Sequence, residues 1–412
     1  MTRIFEFIVA AIIVIVLGIG FALMLPAHGH IERSVEVSHN VRHITDVLSN
    51  YRRFPEWGAL HAMDGKTVFT LEGPDFGPGA KLNWDSKQSG VGVGTYEIAS
   101  VDQDQSVVWN VTSPWKGENK KFTITFTPQK NQRIIKVVWA YDVDYGMDLM
   151  ARFSGLYLNG EPASQILLNL ASLQSQLATI PNVDYTTTDI FVADVVARPE
   201  LFVSTQAPRS LDDVAYETSK AMDEIRAVIK KLGVNAAGPH AIVTTEWGDE
   251  NYVYDVAQPI DASAIKIEGR DFTIGPAIAP TVAEQNEDVP PVEPAPGELD
   301  KKGNLVVAGR VRAHTGYAGK ALVTTWIGSP AGLPLMRLSL KAFALAHGYH
   351  FNETTGRYFD QLLTDPATTP DDEQQFKVFL PINDNVAANE PATAPVAVPN
   401  TAAAPAPSRG QH

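Results

Sequence analysis

Cysteine is absent from the 412 residues of this sequence. Its absence excludes disulfide bonds, a thiolate nucleophile, and zinc or iron–sulfur sites with cysteine ligands. Positive charge is also scarce, because 33 lysines and arginines face 47 aspartates and glutamates, which gives a formal net charge of −14. Nucleic acids and anionic lipid surfaces repel such a body, so we expect neither as a partner.

Recognisable catalytic motifs are missing as well. The chain has no His-Glu-x-x-His zinc motif, no Gly-x-Ser-x-Gly elbow and no phosphate-binding loop, since GYAGK at 316–320 lacks the spacing. Asp142 and Asp144 would share one face of a continuing strand, where a charged strand end is the commoner explanation than an acid–base pair. We therefore predict no cofactor, no metal site and no catalytic residue.

A long apolar run lies at the N-terminus. Residues 8–25 read IVAAIIVIVLGIGFALML, and the predicted span at 5–25 is long enough for a helix to cross a bilayer. Arg3 precedes it, which favours a cytoplasmic N-terminus and a periplasmic or extracellular body. A cleaved signal peptide is the alternative, although its apolar core is normally about 7–15 residues long. We predict a single-pass membrane anchor, joined to the body by a solvated bridge at 26–30.

The first region of the body, at 31–181, combines many strand signals with two helices. Asn40 can cap a short helix after the opening strand, and a long helix is predicted from about 147 to 180, where Pro181 ends it. Between them, turn residues separate six strands, predicted at 66–71, 80–86, 94–101, 106–112, 121–127 and 134–141. This order predicts a curved antiparallel sheet around one helix.

The second region, at 183–383, shows a rough internal duplication. Each half predicts a strand, a helix and two strands, at 191–205, 211–232, 240–246 and 252–256, and then at 304–314, 335–347, 358–363 and 375–381. An acidic, Pro-rich segment at about 279–302 separates the halves, and an Ala/Pro-rich tail follows at 384–412. Neither composition can bury enough apolar area to order itself, so we predict disorder in both.

Three segments of the first region occur in the order typical of a known superfamily. They are IERSVEVSHNVRHITDVLSNYRRFPEWGAL at 31–60, GPDFGPGAKLNW at 73–84 and GVGVGTYEI at 90–98. Together they resemble the polyketide-cyclase/START-like superfamily (SRPBCC). The resemblance implies a helix-grip fold with an apolar cavity between sheet and helix, in which members bind lipids, sterols, polyketides or other hydrophobic ligands.

Aromatic residues on the predicted strands are candidates for the lining of that cavity, because one face of each strand would point inward. They are Trp84, Tyr96, Trp109, Trp139 and Tyr141. Filling of the core is the open alternative for each of them.

Three segments of the second region carry another resemblance. They are residues 246–261, which follow a Gly238-Pro239 turn, RVRAHTGYAG at 310–319 and RYFDQLLTDPATTPDDEQQFKVFLPI at 357–382, and they resemble the gyrase-inhibitor-like effector-binding domain of multidrug-sensing regulators. The resemblance implies a pseudo-twofold α/β domain with a cleft, in which an acidic residue attracts cationic aromatic ligands. That position falls on Asp360, Tyr317 matches the family's tyrosine, and Tyr358 lies beside the site. A leucine replaces the aromatic residue that the family has two positions after the acid.

The predicted fold class is therefore α+β, with a transmembrane helix, a helix-grip domain and a pseudo-twofold effector-binding-like domain. The leading hypothesis for the function is a membrane-anchored carrier or sensor of a hydrophobic small molecule or lipid. Two alternatives stay open. One is an enzyme of the polyketide-cyclase or hydrolase type that uses the helix-grip cavity, and the other is a cell-envelope scaffold that contacts a protein partner.

Overall fold

A computed structural model describes residues 2–129, 133–276, 294–351 and 357–383. These residues form antiparallel sheets of seven, nine and two strands, together with helices, which confirms the predicted α+β class. The tail at 384–412 and the predicted insertion up to residue 293 lie outside the described residues.

Helix α1 (Thr2–Met24) comes first and stands apart from the sheets. Its segment Phe7–Met24 is long and apolar enough to cross a membrane, and nearly all of its side chains face outward. A signal sequence near the N-terminus would satisfy the same criteria of length and composition.

The seven-stranded sheet belongs to the first region. Its strands are β1 (His28–Val37), β2 (Val68–Glu72), β3 (Lys81–Asp85), β4 (Val93–Asp102), β5 (Ser106–Thr112), β6 (Glu118–Gln129) and β7 (Ile134–Asp144). They lie in the order β1-β7-β6-β5-β4-β3-β2, and every neighbouring pair is antiparallel. Side chains alternate between core and surface along each strand, as a sheet with one covered face requires.

Strand β1 begins earlier than the sequence suggests. The predicted solvated bridge at 26–30 includes its first residues, because His28 and His30 pair in register with Asp144 and Asp142. The ring nitrogens Nδ1 of these histidines lie 2.5 and 2.6 Å from the carboxylates of the same two aspartates. The aspartates therefore serve as charged strand-end residues.

Five helices accompany this sheet: α2 (Val41–Leu48), α3 (Phe54–Trp57), α4 (Ala59–Met63), α5 (Leu149–Ser154) and α6 (Glu161–Ala178). The Asn40 side chain caps α2, as predicted, by accepting from the backbone N–H of Arg42. The single helix predicted at about 147–180 is wrong, because a 3₁₀ turn and Gly160 separate α5 from α6. Glycine favours a break, and Pro162 suits the first turn of a new helix.

The nine-stranded sheet belongs to the second region. Its strands are β8 (Phe191–Val195), β9 (Pro199–Pro208), β10 (Ala241–Trp247), β11 (Asn251–Pro259), β14 (Leu305–Ala308), β15 (Val311–Thr315), β16 (Gly319–Ile327), β17 (Phe359–Leu362) and β18 (Gln375–Pro381). Their order is β14-β15-β9-β11-β10-β17-β18-β16-β8. Strands β12 (Ala264–Ile267) and β13 (Arg270–Thr273) form the small third sheet.

Two halves of the nine-stranded sheet repeat one order of elements. Helix α7 (Leu211–Leu232) follows β9 and precedes β10 and β11, and α8 (Leu333–Ala346) follows β16 and precedes β17 and β18. Strands β10 and β17 pair at the centre, so the halves face each other across that pair. Both helices cover the same face of the sheet. On that face, apolar residues of β9 pack against α7, and apolar residues of β18 pack against α8.

Some elements of the second region differ from the prediction. The strand predicted at 191–205 is two strands, which lie in different halves of the sheet, and the strand at 304–314 is a hairpin that turns at Gly309, where φ is 53°. Disorder is wrong for 294–302, because the Asp300 carboxylate accepts the backbone N–H groups of Lys302 and Asn304 and so forms a tight turn.

The apolar core of the first sheet continues into the second region. Its cluster of buried residues includes Val47 and Leu48 of α2 together with Ala342 and Ala346 of α8. The Asn50 side-chain amide, which is buried, donates to the carbonyl of Ala346 at 3.0 Å. Packing of α8 on α2 therefore joins the two regions through shared core and a buried hydrogen bond.

Candidate ligand-binding cleft

The face of the nine-stranded sheet that α7 and α8 leave uncovered forms a cleft of about 1060 Å³. Alternation along the strands decides which residues reach it. In β9, Leu201 and Val203 pack toward α7, so Phe202 and Ser204 point into the cleft. The cleft is therefore built mainly on regular strands, which hold side chains more rigidly than loops do.

Aromatic side chains form one wall of the cleft. Phe359 of β17 and Phe379 of β18 are partners in register, and their rings stack with centroids 4.3 Å apart and an interplanar angle of 8°. Tyr317 lies 6.2 Å from Phe359 and holds its position by donating to the carbonyl of Lys320. These three rings offer an apolar surface to a planar ligand.

A hydrogen-bonded chain of side chains forms a second part of the cleft. His314 Nε2 lies 2.8 Å from Glu200 Oε1, and His314 Nδ1 lies 2.9 Å from Asn304 Oδ1. The side-chain amide nitrogen of Asn304 donates to the Asp300 carboxylate, so the atom that Asn304 turns toward His314 is its acceptor, Oδ1. Both ring nitrogens of His314 are thus engaged by neighbouring side chains, which fixes the orientation of the ring.

Asp255 is a second carboxylate in the cleft, and the exposed Asp194 of β8 is a third. Asp255 accepts from Ser204 Oγ at 2.5 Å and from Arg357 Nη1 at 3.2 Å. Its side chain is almost fully buried, where an ionised group requires a partner of opposite charge. Arg357 supplies that charge.

Lys377 is one of the cations that line the cleft, together with Arg198, Lys302 and Arg357. It lies on β18, partly buried, in register with Gln361 and two residues before Phe379. Within the described ranges, no carboxylate lies at ion-pair distance from its ammonium group. This positive charge next to the aromatic wall is the feature that a ligand can neutralise.

Asp360 does not line the cleft, contrary to the position that the resemblance implies. The two cleft-facing residues of β17 are Phe359 and Gln361, so Asp360 faces α8, where it is 2% exposed and forms an ion pair with Arg337. Arg337 also donates to the hydroxyl of Tyr252. Burial alone would lower the pKa of Arg337, but the adjacent Asp360 carboxylate raises it above its usual range.

Of the two tyrosines predicted for this site, only one lines the cleft. Tyr317 lines the cleft, whereas Tyr358 packs on the apolar cluster beneath α8. The charged and polar groups that do reach the cleft were missed, although alternation in the FDQL sequence of β17 signals the two faces. Which of those faces is open depends on where the distant helix α8 packs, and the sequence of β17 does not contain that information.

The five aromatic residues predicted to line a cavity in the first region form an interlocked cluster. Ring centroids of Trp84 and Tyr96 lie 4.6 Å apart, and those of Trp109 and Trp139 lie 5.2 Å apart. All five, including Tyr141, are buried in the core of the seven-stranded sheet. Burial raises the pKa of Tyr96, although its hydroxyl accepts from Gln165. Their part in ligand binding stays a prediction.

Polar contacts in this aromatic cluster are incomplete. The indole nitrogen of Trp139 and the hydroxyls of Tyr51 and Tyr141 are buried without a hydrogen-bond partner in the part of the chain that the structure describes. No group of three or more His, Asp or Glu residues in that part is arranged to hold a metal ion.

Comparison with known proteins finds similarity at the level of solved structures. No family model and no curated protein matches this chain. The EcmrR C-terminal domain matches at 9% identity, covering 48% of this chain and 98% of that domain, with a TM-score of 0.33. Ginseng major latex-like protein 151 from Panax ginseng matches at 11% identity, covering 37% of this chain and 99% of that protein, with a TM-score of 0.28.

Truncated norcoclaurine synthase from Thalictrum flavum matches at 16% identity, covering 36% of this chain and 92% of the synthase, with a TM-score of 0.28. These matches include folds of the START-like and gyrase-inhibitor-like kinds that the sequence resembles, each over part of the chain.

Proposed function

We propose that this chain binds a small amphipathic molecule in the cleft of the nine-stranded sheet, and that α1 tethers the binding body to a membrane as a carrier or sensor. The ligand has a flat apolar part and an acidic group. One observation carries this proposal: the cleft combines an aromatic wall with a cation, Lys377, that has no carboxylate partner among the described residues.

The aromatic wall favours an apolar, planar ligand. Stacked Phe359 and Phe379 and the nearby Tyr317 present ring surface whose removal from water contributes about 25 cal/mol per Å² of apolar area. A cleft of about 1060 Å³ has the size that accommodates a drug-sized molecule. Binding of such a molecule would bury the apolar ring surface that the open face of the sheet exposes to water.

The charges of the cleft favour an acid over a base. The two carboxylates with low exposure are already engaged, Glu200 by the His314 ring and Asp255 by the Arg357 guanidinium, while the third, Asp194, is exposed to solvent. Lys377 does offer an unbalanced positive charge, and a ligand carboxylate would form a charge-assisted hydrogen bond with it. This preference is opposite to the cationic selectivity that the resemblance implies.

Binding is favoured over catalysis by the way His314 is held. A general base needs a free nitrogen within hydrogen-bond reach of its substrate. Both nitrogens of His314 are already engaged, by Glu200 and by Asn304. The three residues therefore act as a rigid polar support under the ligand.

Membrane tethering by α1 would place the cleft near a source of apolar ligands. The helix has the length and hydropathy of a membrane span, and the body follows it directly, since β1 begins four residues after Met24. Apolar molecules concentrate in bilayers, so a carrier or sensor gains from staying close to one.

The test compares an aromatic acid with its uncharged amide. Purified full-length chain in detergent is titrated with naphthoic acid and with naphthamide, and affinity is measured by calorimetry. We expect the acid to bind more tightly, and Lys377→Gln to weaken its binding by about tenfold or more, equivalent to about 1.4 kcal/mol, while binding of the amide changes little. Lys231→Gln, on the exposed surface of α7, is the matched control.

Two results would contradict the proposed function. Equal affinity of the wild-type chain for acid and amide would remove the role of Lys377. Absence of binding by both probes, together with no small molecule co-purifying from the native membrane by mass spectrometry, would reject the cleft as a binding site.

A further inference from the structure

A concentrated apolar surface lies on the segment between β7 and α6. Met147, Met150, Leu156 and Tyr157 are 76, 77, 55 and 74% exposed. Single exposed apolar residues are ordinary on a protein, but a group of large ones within one short segment marks an interaction surface. These four residues are called the α5 surface.

The α5 surface lies beside the C-terminal end of α1. Phe153 of α5 contacts Phe21 of α1, with ring centroids 5.9 Å apart. Phe21 belongs to the last turn of the apolar segment Phe7–Met24. The contact therefore fixes the position of α5 relative to the candidate span.

Arg152 strengthens this attachment. Its Nη1 donates to the carbonyls of Leu23 and Leu25 at 3.2 Å each, and its Nε and Nη2 donate to the carbonyl of Gly146 at 2.9 and 2.7 Å. Carbonyls in the last turn of a helix have no partner within the helix, so Arg152 caps α1. Such a cap joins the anchor to the folded body, a connection that a cleaved signal peptide does not need.

Depth in the membrane follows from these contacts. If Phe7–Met24 spans the hydrocarbon, its last turn lies at the boundary between hydrocarbon and headgroups. Neighbouring α5 then lies at the same depth, where apolar side chains enter the bilayer and tyrosine is favoured because its hydroxyl reaches water. We propose that the α5 surface inserts into the lipid interface beside α1, so that the body rests on the membrane in a fixed orientation.

A lipid interface suits this surface better than a protein partner does. Met150 and Leu156 lie three residues before and after Phe153, whose ring contacts the exposed Phe21 of α1, so a bilayer around α1 lies next to the α5 surface. The negative body disfavours anionic lipids, so insertion depends on apolar contact and is expected in a zwitterionic bilayer. This inference rests on the tether in the proposed function and adds a second membrane contact.

The absence of cysteine allows a direct test with single labels. Full-length chain carrying Met150→Cys or Tyr157→Cys is labelled with an environment-sensitive fluorophore and reconstituted into phosphatidylcholine vesicles. We expect nitroxide lipids to quench the label. We also expect the label to be protected from aqueous iodide by about fivefold or more relative to the same label at the control position. Tyr216→Cys is the control, because Tyr216 is 68% exposed and lies on α7 of the second region.

Each outcome decides the question. Quenching by nitroxide lipids at 150 and 157 but not at 216 supports insertion. Iodide accessibility at 150 equal to that at 216 overturns it. Protection from iodide without quenching by lipids means that protein covers the surface, and this also overturns the inference.

A label on α1 separates this inference from the tether itself. Val14 lies in the middle of the apolar segment and is 68% exposed, so Val14→Cys reports whether α1 is in the bilayer. Quenching by lipids at 14 with an aqueous environment at 150 would reject only the α5 insertion. An aqueous environment at 14 would reject the tether, and the α5 insertion with it.

Discussion

At the scale of single residues, the pair of Asp360 and Arg337 is expected to stabilise the fold and not to contact ligand. Asp360→Ala would leave a buried guanidinium without its counter-ion, and we expect a loss of about 3–5 kcal/mol in the free energy of unfolding. Urea denaturation at neutral pH measures this loss. The double variant Asp360→Leu, Arg337→Met should recover most of it, because an apolar pair can replace a buried ion pair.

A ligand titration of the Asp360→Asn variant tests whether Asp360 has only this structural role. Loss of affinity for the aromatic acid or amide in Asp360→Asn, with unchanged stability, would return this residue to the binding site that the resemblance implies.

His43 is expected to make the stability depend on pH. It is fully buried, its Nδ1 lies 3.1 Å from that of His39, and its ring stacks on Tyr185. Burial, followed by the neighbouring His39, lowers the pKa of His43 to about 4. Between pH 6.5 and 4 the unfolded chain therefore binds more protons than the folded chain, so stability is complete above pH 6.5 and falls with acidification.

The expected slope from His43 is about 1 kcal/mol per pH unit between 6.5 and 4. Urea midpoints from pH 7.5 to 4.5 measure it. His43→Phe keeps the stacked ring without a titrating group and should have a shallower slope, whereas an unchanged slope would contradict the assignment. Part of the slope remains, since burial also lowers the pKa of His39 and His347. The other charged groups facing this cluster are Arg42, Asp46, Arg52 and Asp184.

At the scale of elements, close packing of β3 and β4 fixes a glycine. A Cβ on Gly94 would meet the Trp84 ring at 2.2 Å and the carbonyl of Thr112 at 2.3 Å. We expect Gly94→Ala to cost about 1–3 kcal/mol of stability in thermal or urea denaturation, because neither atom can move without disturbing the sheet. Gly65→Ala is the matched control, since no atom lies within 4 Å of its added Cβ. Equal stability of the two variants would contradict this packing.

Elements with a strong local pattern could be predicted from the sequence. β5, α7 and β18 have the predicted bounds, because alternating apolar residues or a capped amphipathic helix identify them without help from the rest of the fold. β16 was missed, although it pairs with two strands. Its sequence, GKALVTTWI, is a buried run with little alternation, and such a run takes its meaning from its neighbours.

The candidate site was harder to predict than the strands that build it. The resemblance pointed to β17, which lines the cleft, but to Asp360 in place of its neighbours Phe359 and Gln361, because a shift of one residue exchanges the two faces of a strand. Glu200, His314 and Lys377 come from three separate strands. Only their register across the sheet brings them to one cleft, and single-strand patterns do not contain register between distant segments.

At the scale of the whole molecule, α8 serves two cores at once. Leu340 and Ala344 pack on the nine-stranded sheet, while Ala342 and Ala346 complete the core of the first region. The sequence predicted this helix but not its second contact, because about 290 residues separate it from α2 in the chain. Unfolding of either region would therefore expose apolar surface of the other.

Shared core predicts that the two regions unfold together. Differential scanning calorimetry of residues 28–383 should give a single transition. Protection of the amides of β5 and β18 from hydrogen exchange should be lost with the same dependence on denaturant. Asn50→Ala removes the amide that bridges the carbonyls of Asp46 and Ala346, so it should lower the stability of both strands by about 1–3 kcal/mol. Two separate heat-absorption peaks, or an effect of Asn50→Ala confined to β5, would mean that α8 docks on the first region without coupling its stability to the second.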